Sequence, residues 1–176
     1  MSEIFTGNRE QILLYILGQN DPDKKWDIKE HKEKRSLSQN AYYWQLLEKL
    51  AVKTHTPKAE IHNLNLRHLG LVEMIDDKRI TILIPDTDEA EKKTLLSSTY
   101  HLSPTRQTKV GTDGITYRFY VMLRGSADMN VAEMSALVDL AVQDAKAQGI
   151  ETLTPTQLEQ MRELERQHER RMENHS

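Results

Sequence analysis

Lys24, Lys25, Lys29, Lys32, Lys34 and Arg35 stand against Asp27, Glu30 and Glu33, so residues 24–35 are locally +3 in a chain whose net charge is −3. The segment runs into Arg35-Ser36-Leu37-Ser38-Gln39-Asn40, at the start of the most regular helical pattern in the sequence. Unpaired first-turn amides and the positive end of the helix dipole make such a start a place to hold phosphate. Ser36 and Gln39 also have the S-x-x-Q spacing of a capping box, which would spend them on helix-end amides instead. Capping leaves Arg35 and Asn40 unaccounted for, and their planar groups can make paired hydrogen bonds to phosphates or base edges. Lys32 and Lys34 add charge beside them.

Aromatic residues follow at once. Tyr42, Tyr43 and Trp44 can stack on bases, although Tyr43 and Trp44 share a stripe with Leu47 and Leu50, where core packing competes. A second candidate is the alternating run from Ile115. It predicts a core face of Ile115, Tyr117, Phe119, Val121 and Leu123, and an outer face of Thr116, Arg118, Tyr120, Met122 and Arg124. Arg118, Tyr120 and Arg124 would then combine backbone contacts with a stacking ring, extended by Arg106 and Lys109 on the hairpin partner. A merely solvated face fits the same pattern.

Catalytic chemistry finds less support. With no cysteine among 176 residues, disulfides, cysteine nucleophiles and thiolate metal sites are excluded. The seven histidines include no H-E-x-x-H, and no glycine fingerprint for nucleotides occurs. His62 beside Asn63 raises an HNH-type, metal-dependent nuclease as an alternative. Asp86, Asp88, Glu89 and Glu91 lack the spacing of a calcium loop and suit a helix N-terminus. No cofactor, metal or enzymatic activity is expected.

The elements that must position these residues can be read in order. Helices are predicted over Asn8–Leu17, Leu37–Thr54, Pro57–Leu69 and Thr87–Ser97, from Asn130 to Gly149, and from Thr154 onward. Strands are predicted over Lys25–Lys32, Arg79–Ile84, Thr105–Val110 and Ile115–Leu123, with Asp76-Asp77 as a turn and residues 111–114 as a hairpin loop. This mixture implies an α+β fold with a small, largely antiparallel sheet and packed helices. One domain is expected over 1–164, with 165–176 a charged helical tail projecting into solvent. No apolar run is long enough to cross a membrane, and Ile12–Leu17 lacks the flanks of a signal peptide, so a cytoplasmic location is expected.

The Arg35–Asn40 element followed by Trp44 resembles the R-S-L-x-Q-N motif and Trp-containing helix of the NinB (Orf) family of bacteriophage recombination proteins. Ser126–Asn130, the helix Val131–Gln148 with its Glu133-Met134 pair, and Gly149-Ile150 are similar to that family's closing segment. The two matches span about a third of the chain, and residues 55–114 add nothing to them. The resemblance implies a non-enzymatic mediator in the bacterial host cell. It would bind single-stranded DNA, contact the host single-strand binding protein, form a homodimer and assist loading of a recombinase. Only Arg35, Ser36, Gln39 and Asn40 carry over as motif residues. The acidic stretch Glu73–Glu91 and the charged C-terminal helix depart from the family, and an interaction module without DNA binding could be built on them.

Overall fold

The structure, a computed structural model, describes residues 5–21, 23–26, 28 and 37–173. It divides into two compact units, Met1–Glu33 and Lys34–Ser176. In the first, α1 (Arg9–Leu17) starts at Asn8, whose side chain accepts from the Gln11 amide while the Gln11 side chain accepts from the Asn8 amide. None of its residues is buried. Beside it Phe5 stacks on Tyr15 at 4.2 Å between centroids, Trp26 meets Tyr15 edge-on at 5.7 Å, and the Lys24 ammonium lies 4.5 Å from the Trp26 ring. Of the strand expected over Lys25–Lys32, residues 25, 26 and 28 are described and none is in a strand. Its remainder lies outside the described residues.

The second unit contains α2 (Leu37–Thr54), α3 (Lys58–Leu69), β1 (Met74–Ile75), β2 (Lys78–Arg79), β3 (Thr81–Pro85), α4 (Asp88–Leu96), β4 (His101–Val110), β5 (Thr116–Leu123), α5 (Val131–Ala147) and α6 (Pro155–Glu173). It is an α+β fold with a two-stranded antiparallel ribbon, β1-β2, and a three-stranded antiparallel sheet in the order β3-β5-β4. Two helices supply most of the core. In α2, Tyr43, Leu46, Leu47 and Leu50 recur at helical spacing and are buried. In α5 the same spacing buries Met134, Leu137, Val138, Ala141 and Ala145. These faces meet, with Leu66 of α3, Leu123 of β5 and Leu158 of α6 closing the cluster. Each such side chain withdrawn from water is worth roughly 1.5–3 kcal/mol.

Local chemistry sets the element ends. Asn130 and Glu133 cap α5 reciprocally, as their spacing predicts. Gly70 ends α3 at φ 70°, a left-handed conformation that costs glycine little. Asp76 and Asp77 take φ 49° and 59° between β1 and β2, the pair of positive values that a two-residue hairpin turn needs. Because only glycine holds such an angle without strain, Asp77→Gly should raise stability by about 0.5–1 kcal/mol in urea denaturation. No gain would show that the Asp77 side chain offsets the strain.

The C-terminal helix differs from expectation. α6 passes residue 164 without a break, and Glu165, expected at the root of a solvent-projecting tail, is buried. Among the described residues no helix is long and apolar enough to cross a membrane.

Candidate nucleic-acid interface

Lys32, Lys34, Arg35 and Ser36 lie outside the described residues. The rest of the motif is placed. Gln39 is fully buried, its amide donates to Glu165 Oε1 at 3.0 Å, and its side-chain oxygen accepts from the Ser135 hydroxyl at 2.8 Å. It therefore ties α2 to α5 and α6 instead of standing open to a ligand. The anion at this amide is the protein's own carboxylate, which uses the favourable electrostatics of a helix start internally. Asn40 is half-buried, and its Oδ1 is enclosed without a hydrogen-bond partner. Trp44 follows one helical turn later on the same face. Its ring packs against His62 at 4.9 Å between centroids yet stays 36% exposed. Tyr43, in contrast, is core, and the Tyr42 hydroxyl accepts from the Leu153 amide at 2.9 Å.

Leu123 is buried as expected, but the open face expected for β5 is covered at its centre. Tyr120, expected on the open face, is only 2% exposed, and its hydroxyl donates to Glu91 of α4. Arg118 donates to both Asp86 oxygens, at 2.7 and 3.0 Å, and to the Thr105 carbonyl at 2.9 Å. Arg124 is paired with Glu133 at the start of α5. These three residues are thus bound within the fold, and Tyr120 has no face left for a base. Glu91 also pairs with Arg67 of α3, which reaches the Leu102 carbonyl at 2.7 Å and the Thr94 hydroxyl at 2.8 Å. Sequence reading missed Arg67 and gave Glu91 only the role of a helix N-terminal acid, a place it does occupy. The available signal was the spacing of Ala90, Glu91 and Thr94, which puts them on one side of α4, the side that the structure buries in part.

Burial pushes the Tyr120 hydroxyl up to about 12, with the adjacent Glu91 carboxylate adding to the shift. For Glu91 itself burial pushes upward, but hydrogen bonds from Tyr120 and Arg67 and the charges of Arg67 and Arg118 outweigh it, leaving the carboxyl below its ordinary value.

A second polar cluster lies between α3 and β4. The Tyr43 hydroxyl and His62 Nδ1 share a 2.8 Å hydrogen bond, and Asn63 Oδ1 accepts from His101 Nδ1 at 2.7 Å. The Asn63 amide nitrogen reaches the carbonyls of Ala59, Leu95 and Ser97 at 2.7 to 2.9 Å, so it also satisfies carbonyls at the C-terminal end of α4. His62 and His101 meet edge-on at 5.2 Å. Burial, followed by the neighbouring His101, pushes His62 down to about 4, and burial lowers His101 as well. His62 and Asn63, the pair behind the nuclease alternative, are both buried among these partners. Among the described residues no three His, Asp or Glu side chains gather where they could hold a metal ion.

No protein-family model matches the chain, and neither curated proteins nor solved structures provide a match.

Proposed function

We propose that the protein is a non-enzymatic mediator of phage recombination that binds single-stranded DNA and helps exchange a single-strand binding protein for a recombinase. The observation that carries this reading is the open Trp44 ring in the second turn of α2. Directly after the basic segment, Asn40 and Trp44 stand one turn apart, and the indole is 36% exposed although its neighbours Tyr43 and Leu47 are fully buried. An open aromatic ring and an excess of cations in the adjoining sequence are what sequence-tolerant binding of a single strand requires. The resemblance of Arg35–Asn40 and of residues 126–150 to the NinB family supports the same role. It adds homodimer formation and contact with the host single-strand binding protein and recombinase as further parts of the proposal.

The test is fluorescence anisotropy of a labelled single-stranded oligonucleotide at two salt concentrations, with duplex as competitor. Affinity should fall steeply with salt, and single strand should compete better than duplex. Arg35→Ala should weaken binding roughly tenfold, as loss of a charge-assisted phosphate contact does, while leaving the melting temperature nearly unchanged. Unfolding of that variant would make Arg35 structural, and no binding at low salt would overturn the reading.

A further inference from the structure

The faces of the three-stranded sheet are unequally covered. On one, Tyr120 and Leu102 are buried, and Asp86 of the turn between β3 and α4 pairs with Arg118. On the other, Thr81, Leu83, Ser103, Tyr117, Phe119 and Val121 lie across the three strands and are not buried, while Leu123 at the end of the same side joins the core. Leu83, opposite Phe119 in the register, is 44% exposed. Tyr117 and Phe119 therefore sit on the central strand, two residues apart and on the same side, with rings about 7 Å apart along the strand.

Cations border this face on its edge strand. Lys109 of β4 lies directly opposite Tyr117, and Arg106 lies in the irregular stretch between Pro104 and Thr108, level with Phe119; both are exposed and, among the described residues, enter no ion pair, unlike Arg118 and Arg124. The Tyr117 ring is also held in place. Its hydroxyl donates to Asp113 Oδ2 at 2.7 Å, and its edge rests over Gly111, where an added Cβ would stand 2.9 Å from Cε2. A ring fixed before binding loses little freedom when a base stacks on it. Asp113 opposes these charges, and its engagement with Tyr117 and with the Ile115 amide directs it toward the hairpin loop.

The geometry points to this sheet face as a path for single-stranded nucleic acid, with bases on Tyr117 and Phe119 and phosphates on Arg106 and Lys109. The inference rests on the proposed function and names a second contact surface for it, on the face opposite to the one that alternation assigns to DNA. The cations suit a polyanion, and paired aromatics beside free cations on a sheet suit stacked bases better than they suit an apolar partner.

Two measurements on the full chain test it. The first is the salt dependence of oligonucleotide binding by a variant carrying Arg106→Gln and Lys109→Gln. Loss of two phosphate contacts should weaken binding about tenfold near 0.1 M salt and make the log-log slope shallower by about 1.4. The second is photocrosslinking of an iodouridine-substituted oligonucleotide, followed by peptide mapping of the unmodified protein, which no folding defect can confound. Adducts at Tyr117 or Phe119 are expected. Unchanged affinity and slope with adducts confined to Trp44 would overturn the sheet path while leaving single-strand binding intact. If the unmodified protein binds no oligonucleotide, both readings fail together.

Discussion

Glu91→Ala should lower the stability of the second unit by about 3 kcal/mol, the cost of leaving a buried charge without its partner. The variant removes the acceptor shared by Arg67, whose side chain is only 13% exposed, and the buried Tyr120 hydroxyl. Water cannot easily replace it, because α3, α4 and β4 enclose both donors. For a chain of this size the loss corresponds to a fall in melting temperature of roughly 10 °C. Glu91→Gln keeps an acceptor but no charge and should cost about half as much. Thermal denaturation of the two variants checks this, and a change below about 2 °C for Glu91→Ala would place the pair with surface salt bridges of little consequence.

The second large effect is acid destabilisation through His62. Its folded value of about 4 lies below the ordinary histidine value near 6.5, so between these values the unfolded chain binds a proton that the folded one refuses. Stability is therefore complete above pH 6.5 and declines as pH falls toward 4. Between pH 7 and 5, above most carboxylate titration, the loss should be about 2 kcal/mol. His101, shifted in the same direction by burial, adds to it. Urea unfolding at pH 7, 6 and 5 measures the slope. In His62→Gln the slope should shrink to the His101 contribution, and an undiminished slope would remove His62 as its source.

Both predictions depend on contacts that the sequence made only partly legible. Helix spans were readable where one face is apolar and the ends carry capping chemistry. The expected Leu37–Thr54 agrees with α2, Asn130 and Glu133 cap α5, and Gly70 ends α3. Strand alternation separated the two faces of β5 and placed Leu123 in the core, but it missed the cover over Arg118 and Tyr120. Arg118 marked its side as solvent, whereas Asp86 and the α4 residue Glu91 supply partners that let α4 cover it. Polarity predicts exposure only when no complementary charge comes to meet it, and that charge lies some thirty residues away in sequence. β4 begins at His101, four residues before the expected Thr105, because Pro104 reads as a strand breaker although an edge strand tolerates it. At the candidate site, Asn40 and Trp44 were legible as a pair of residue types on a helix start. The burial of Gln39 was not, since its partners Ser135 and Glu165 come from the last two helices.

Those partners also bear on the order in which the chain can be finished. Gln39 and Glu165 are 126 residues apart, and Tyr42 and Leu153 are 111 apart. During synthesis α2 emerges before α5 and α6, so the carboxylate that caps it and the amide that meets Tyr42 arrive later. Until α6 has left the ribosome, the first turn of α2 has an open amide at Gln39 and an apolar stripe awaiting α5. Contacts of such long sequence separation slow folding, and they keep the motif-bearing helix start from its native setting until α6 is in place.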